Sequence, residues 1–331
     1  MKVNLSIFNS KKSSAFLTKL AVFVLLLLVV DLLVGALIGS LYRNAPYGAN
    51  WTKENWLLQE RFDIVILGSS RALRHYIPEV IEEKTGLSVF NAGQNGQYLL
   101  YAYTLEQLLL SRYAPGIIVL DVLPSFIIKT DKTGEEFDRL ATLSPFIDNG
   151  EVRAMLTRGS MFEGLKYASH MYRYNSKILS ILENYRSHPE NVDNGYEVIG
   201  DSRYFDRNPF ILDTVQHVEI DSFKLSLLHK FIMDAKGRNV KVVASFSPVS
   251  RPVSSRVDSV LQIYGDIFNQ HNVPFINFAA SEFNHYHNLD WFIDIIHMDG
   301  LGAEQFSRDF ADRLLNIQDN KSVLAKCDQH L

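Results

Sequence analysis

Short aliphatic runs rich in β-branched residues, each followed by a small-residue turn and then a helical pattern, recur in two stretches of the chain. Residues 64–67 (Ile-Val-Ile-Leu), 87–91 and 116–121 form the first series; residues 240–246 and 274–278 form the second. Runs this uniformly apolar suit strands covered on both faces, whereas a half-exposed strand would alternate. Between them apolar positions fall at helical spacing: a helix opening at Ser70-Arg71-Ala72-Leu73-Arg74, one over 98–112, one over 222–236 closed by Gly237, one over 253–269, and a last one through about residue 317. The alternation predicts an α/β fold of three layers, α/β/α, around a parallel sheet of about five strands with right-handed crossovers.

The pattern breaks over residues 124–216. That stretch holds short helical pieces (151–157, 174–185) and a polar loop (187–195), and an insertion of this size at the strand-end side of a sheet is expected to form a helical cap over a site. The α/β domain is therefore assigned to 61–123 and 217–317, with a polar tail at 318–331.

Ahead of the domain, residues 20–41 are almost wholly apolar and, at about 1.5 Å per residue, span a hydrocarbon core of roughly 30 Å. Asp31 is their only charge. Lys2, Lys11, Lys12 and Lys19 precede them, which predicts a cytoplasmic tail at 1–19, one transmembrane signal-anchor helix at 20–41, and the remainder outside the cell membrane. A cleaved signal peptide is the competing reading, since Val34-Gly35-Ala36 and Ile38-Gly39-Ser40 offer small residues, but the apolar stretch exceeds a usual signal-peptide core. Both readings export the domain. On a lone helix Asp31 is expected to pair with a partner helix in the membrane. Residues 42–60 read as a polar and aromatic linker, with Trp51 and Trp56 either at the membrane interface or packed on the domain.

Composition narrows the classes. A chain of 331 residues with 47% hydrophobic and 12% aromatic residues can build a large core. The formal net charge of -4, without a basic run in the body, offers no phosphate-binding face and sets nucleic-acid partners aside. The only cysteine, Cys327, rules out a disulfide framework and a thiolate metal cluster. His285, His287 and Asp290 have metal-ligand composition, but a His-x-His on a loop reads as solvated; no metal or other cofactor is expected.

The candidate chemistry lies at strand ends. Ser70 follows the first strand through Gly68 and Ser69, at the start of a helix, where the backbone field favours a developing anion. A serine nucleophile needs a base, a group that orients the base, and oxyanion donors. Asp294 and His297 stand three residues apart, a spacing that presents both side chains to one pocket. The backbone N–H groups of Ser70 and Gly96 are candidate donors. Ser69 is the nearest decoy for the nucleophile, and His75, five residues beyond Ser70, is expected to face elsewhere.

These residues resemble the SGNH/GDSL hydrolases. Gly68-Ser69-Ser70 is similar to that family's Gly-Asp-Ser block, with Ser for Asp; Asn91-Ala92-Gly93-Gln94-Asn95-Gly96 fits its Asn-x-Gly-x-x-Gly block; Asp294 and His297 fit its terminal Asp-x-x-His. The resemblance covers roughly residues 62–316 and implies a flavodoxin-like sheet with Ser70 as nucleophile, His297 as base, Asp294 as its orienter, and Gly96 in the oxyanion hole. It departs at the third block, Gly-x-Asn-Asp, whose place is taken by Leu120-Asp121-Val122-Leu123-Pro124 without an asparagine. Asn95 is a substitute donor, or backbone donors serve alone. Asn91 and Arg71 are candidate substrate contacts, Arg71 through an anionic group unless it pairs with Asp121 or Asp138.

The Gly-Ser-Ser variant with a membrane helix resembles exported proteins that acylate or deacylate cell-surface polymers. The expectation is a membrane-anchored serine esterase or O-acyltransferase acting on an acylated carbohydrate or similar ester, with a membrane-bound acyl-transport partner. The alternative is a non-catalytic scaffold of the same fold that binds a glycan or such a partner. Tyr167, Tyr172 and Tyr174 in the insertion fit either stacking on sugar rings or packing within the cap.

Overall fold

The computed structural model describes residues 11–45, 53–130, 133–159, 162–175, 177–186, 192–198 and 218–327. The chain starts in a single helix, α1 (Lys11–Arg43), about 50 Å long at 1.5 Å per residue, followed by a short helix α2 (Lys53–Gln59). The domain then runs β1 (Ile64–Leu67), α3 (Ser70–His75), α4 (Pro78–Thr85), β2 (Val89–Asn91), α5 (Leu99–Arg112) and β3 (Ile117–Asp121). Pro78 opens α4, which explains why the helix begun at Ser70 stops at His75 instead of continuing.

After the insertion come α10 (Ser222–Gly237), β6 (Lys241–Phe246), α11 (Ser255–Gln270), β7 (Phe275–Asn277) and α12 (Gly300–Cys327). The insertion itself contributes α6 (Thr133–Arg139), α7 (Gly150–Arg158), α8 (Glu163–Lys166), α9 (Ile178–Arg186) and a hairpin of β4 (Val192–Asp193) and β5 (Tyr196–Glu197). The backbone of α12 stays helical ten residues beyond the expected end at 317, through a segment free of Gly and Pro.

The five-stranded sheet has the order β2-β1-β3-β6-β7 and every pairing is parallel. Successive residues of a strand point to opposite faces, and here both faces are covered. Ile64 and Ile66 of β1 join Ile117 and Val119 of β3 in one cluster with Phe306 and Phe310 of α12. Val65 and Leu67 join Ile118 and Leu120 in the other, with Leu109 of α5, Phe231 of α10 and Tyr264 of α11. All four β1 side chains are fully buried, each contributing roughly 1.5–3 kcal/mol. The strand order reverses between β1 and β3, so the crevice beyond their carboxyl ends is where such a sheet places its ligands.

Two readings of the polar N-terminal region need correction. Residues 53–59 are not a linker but a buried helix: Lys53, Glu54, Asn55 and Leu57 are all inside. The Glu54 carboxylate accepts from Tyr101 Oη (2.9 Å) and Thr142 Oγ1 (3.1 Å) and lies 3.8 Å from Lys177 Nζ, so one ion pair ties this helix to α5 and the insertion. Trp56 packs on the core, while Trp51 falls outside the described residues. Asp31 pairs within its own chain: it accepts from Ser169 Oγ (2.5 Å), His170 N (2.8 Å) and Met171 N (3.2 Å). Tyr174 packs on Tyr42, at a ring separation of 5.8 Å, and Tyr167 meets Tyr172 edge-on.

Candidate active site

The turn after β1 is set by close packing. A Cβ on Gly68 would lie 2.7 Å from the Ala72 Cβ and 3.0 Å from the Asp121 carbonyl oxygen, so only glycine lets α3 start this close to β3. Ser69 caps α3, its Oγ accepting from Arg71 N at 3.2 Å, and that duty leaves Ser70 as the hydroxyl facing outward. Ser70 is the first helical residue, so its N–H has no acceptor within the helix.

The loop after β2 runs beside this turn. Ala92 N donates to Ile66 O (2.8 Å) and Gln94 N to Gly68 O (3.2 Å), extending the β1–β2 pairing past the strand ends. Gly93 lies against α3, where a Cβ would sit 2.4 Å from Leu73 N. Gly96 has φ +66°, a left-handed conformation that favours glycine, and its carbonyl accepts from Arg139 Nη1 at 2.7 Å. Asn95 is exposed, with Oδ1 accepting from Arg74 Nη2 at 3.2 Å; its amide N–H₂ remains the donating end.

Asp294 and His297 arrive on the loop before α12. Asp294 Oδ1 accepts from Ile296 N (2.8 Å) and His297 N (2.7 Å), which curls the loop around the carboxylate. Its Oδ2 accepts from His297 Nδ1 at 2.7 Å, and Ser70 Oγ donates to His297 Nε2 at 2.8 Å. Burial by itself would raise the Asp294 pKa, but the hydrogen bond and charge of His297 together with the two backbone N–H groups hold it below the usual carboxylate value. Serine hydroxyl, imidazole and carboxylate thus form one continuous hydrogen-bonded chain, with the imidazole in the tautomer that leaves Nε2 free to take a proton.

The loop is fastened from both sides. Ser250 donates through N (3.3 Å) and Oγ (3.0 Å) to the Ile295 carbonyl, and Ile293 N donates to His297 O at 3.0 Å. His75, fully buried, sets Nε2 2.9 Å from the Ile296 carbonyl and 3.2 Å from Met298 N, contacting the residue on either side of His297. Burial, reinforced by the positive charge of Arg71, pushes the His75 pKa well below its ordinary value and keeps the ring neutral. As the Nε2–H tautomer it donates to Ile296 O and lies against Met298 N without accepting from it, and the bare Nδ1 lone pair is then the group left unpaired. The sequence reading set His75 aside as a base but gave it no role; only the long-range contact to Ile296 and Met298 reveals one.

Two substrate-contact expectations are corrected. Asn91 is fully buried; its Nδ2 donates to Ala72 O (2.7 Å) and Tyr76 O (2.8 Å), and its Oδ1 accepts from Gly93 N (3.0 Å), so it joins the end of α3 to the second loop. Arg71 is also buried, stacked 4.2 Å over the Phe246 ring and donating to the Ser247 carbonyl. Its charge acts on Asp121, whose carboxyl burial pushes upward and whose oxygens accept from Ser247 N (2.9 Å), Ser247 Oγ (3.0 Å) and Tyr76 Oη (3.1 Å). The carboxylate standing where the resemblance called for an asparagine is therefore consumed in a buried network.

The insertion reaches this site through Arg139 at Gly96 and through β5, where Tyr196 is buried in one cluster with Ala72 and Tyr76 and Glu197 Oε1 lies 3.9 Å from Arg74 Nη2. Elsewhere its described part packs on α5, α1 and the edge of β2, where Asn91 N donates to Asn194 O at 2.8 Å. His285 stands apart from the site, 3.7 Å from Asp309 and beside the rings of Phe283, Tyr286 and Trp291.

A parallel flavodoxin-ordered sheet with a Ser-His-Asp chain beyond its carboxyl ends is the class that fold and site define. No family model and no curated protein matches the chain. Among solved structures it is similar to a protein of Bacteroides fragilis NCTC 9343 described as a "putative acylhydrolase", at 10% identity over 83% of this chain and 93% of that one, with a TM-score of 0.36. At that TM-score the likeness does not bear on function.

Proposed function

We infer that the protein is a serine esterase or O-acyltransferase that works through an acyl-enzyme, held at the outer face of the cell membrane by α1. The observation that carries this reading is the Ser70–His297–Asp294 chain, with separations of 2.8 and 2.7 Å. Ser70 Oγ attacks the ester carbonyl as His297 Nε2 takes its proton, while Asp294 stabilises the imidazolium. This reading assigns the developing oxyanion to the Ser70 and Gly96 N–H groups, with the Asn95 amide as a further donor. Losing one donor costs about 10²–10³ in rate, so backbone donors without the third-block asparagine leave a working if slower centre.

Collapse of the tetrahedral intermediate breaks the C–O bond, and the imidazolium returns its proton to the leaving alkoxide. His297 then deprotonates the acceptor, which attacks the acyl-Ser70 ester and regenerates the serine. Water as acceptor gives hydrolysis; a sugar hydroxyl gives transfer to a surface glycan. The long exposed apolar face of α1 and the lysines ahead of it support an anchor with its N-terminus in the cytoplasm.

The test is labelling of the full chain in detergent with a fluorophosphonate probe, beside Ser70→Ala and His297→Ala. Full length matters because Tyr42 of α1 packs into the insertion. Labelling that disappears in Ser70→Ala is expected. A folded wild type that never labels would instead favour the non-catalytic scaffold.

A further inference from the structure

The depth at which the insertion grips α1 sets where the insertion sits. Asp31 is twelve residues beyond Lys19, about 18 Å along the helix, and the hydrocarbon core is roughly 30 Å thick. Yet Asp31 is held by residues 169–171, and a Cβ on Gly35 would lie 2.4 Å from the His170 Cβ. The contact continues upward: Tyr174 Oη faces Gly39, Tyr174 and Phe146 pack on Tyr42, and Tyr185 Oη donates to the Leu41 carbonyl at 3.1 Å. The insertion therefore lines α1 over about its last 16 Å. If Lys19 marks the inner boundary, that length lies largely within the outer half of the bilayer.

Several large apolar side chains near this contact are turned outward, among charged ones such as Lys166 and Glu183. Leu165 on α8 is 75% exposed, and on α9 Leu179 and Leu182 are 81% and 57% exposed while Ile181, one residue from Leu182, is 2% exposed against Tyr42. Thus α9 is amphipathic about the anchor: Ile181 and Asn184 are buried on one face, and the opposite face presents Leu179 and Leu182 together with Glu183 and, in the last turn, Arg186. Leucines exposed on, or close in sequence to, segments that pack against a membrane-spanning helix are matched by acyl chains.

We propose that the insertion is a lipid-immersed element whose α8–α9 surface sits in the outer leaflet of the bilayer, with Leu165, Leu179 and Leu182 among the acyl chains. The proposal rests on the membrane-anchored part of the reading above, but not on the catalytic part. It replaces a tethered domain free above the membrane with one seated in its outer leaflet beside the spanning helix. An ester carried by a lipid or a membrane-bound donor would then meet the site without the domain having to bend down to it.

The test uses the full chain with Cys327→Ser and one new cysteine, at Leu165, Leu182, Leu25 or Leu301, each carrying an environment-sensitive fluorophore in phosphatidylcholine–phosphatidylglycerol vesicles. Leu301 opens α12, in the layer opposite the insertion. The expected result is that labels at Leu165 and Leu182 shift to the blue, are quenched by lipids bearing a nitroxide high on the acyl chain, and resist an aqueous quencher. The Leu25 label is expected to respond to deep nitroxides and the Leu301 label to the aqueous quencher alone. Labels at Leu165 and Leu182 that stay open to water while Leu25 is deep would overturn the immersion and leave the anchor standing. A water-exposed Leu25 label would overturn the anchor itself. Labels open to water in pure lipid but protected in native membranes would assign the surface to a partner protein and refute lipid as its occupant. Unfolding midpoints check that each variant folds, and Leu179→Cys provides a second position on α9 should Leu182→Cys not.

Discussion

Replacing Asp294 separates two jobs that one carboxylate performs. Its Oδ2 holds the His297 ring, and its Oδ1 gathers the N–H groups of Ile296 and His297. Asp294→Asn can keep the second job, because an amide oxygen still accepts from both N–H groups. It loses the first: the amide presents N–H₂ to Nδ1, and the ring turns to the tautomer whose Nε2 carries the proton. Turnover is expected to fall by about 10⁴ with little change in stability. Asp294→Ala loses both jobs. Hydrogen bonds to a charged acceptor are worth about 1.5–3 kcal/mol each; with the carboxylate about one-third exposed, a total near 2 kcal/mol is reasonable, or an unfolding midpoint lower by about 4–8 °C. The assay pairs fluorophosphonate labelling rates and ester turnover with thermal unfolding of the same preparations. An Asp294→Asn variant within about tenfold of wild type would refute the orienting role, since a lost triad carboxylate cannot be that mild.

Other outcomes follow from the surrounding contacts. His75→Ala removes the ring that spans Ile296 O and Met298 N, and is expected to slow labelling by about 10²-fold, the cost of misplacing a catalytic group by about 1 Å, while substrate KM changes little. Asn91→Ala strands two carbonyls and the Gly93 N–H in the interior; a loss of roughly 3 kcal/mol or more in denaturant titrations is expected. Burial lowers the Lys53 pKa to about 7 from 10.5, so between those values the unfolded chain binds more protons. Stability should rise with pH above 7, by up to about 1.4 kcal/mol per unit from this group, and Lys53→Met should flatten that slope. For Asp294 the sign is the same and the window lies lower: its contribution is whole above the ordinary value of 3.8 and is lost as pH falls through the depressed one, a region read by acid titration.

The sheet was legible because burial on both faces leaves a plain trace, four consecutive aliphatic residues, as in β1 and β3. Gly68, Gly93 and Gly96 were legible because close approach and a left-handed φ exclude other residues. What escaped was polar burial. The helix of residues 53–59 is inside by virtue of an ion pair whose partner, Lys177, is more than a hundred residues away, and no hydrophobic period announces it. Asn91 and Arg71 looked like ligand-binding residues because buried fasteners and binding groups are the same residue types; their carbonyl partners distinguish them. Spacing placed Asp294 and His297 near each other but could say nothing of His75 or Ser250, which fix the loop from distant parts of the chain.

The acidic residue within α1 gives assembly an order. Helix α1 is made first, and on the anchored reading it enters the bilayer carrying Asp31 some 138 residues before its partner Ser169 has been synthesised. Until residues 169–171 fold against it, the helix holds an unmatched carboxyl group at membrane depth, a handicap of about 2.5–3.5 kcal/mol on insertion scales for a helix centre. Completion of the insertion removes that handicap. On that reading the anchor is at its most secure only when the domain has folded, and a chain whose insertion fails to form keeps a weakened hold on the membrane.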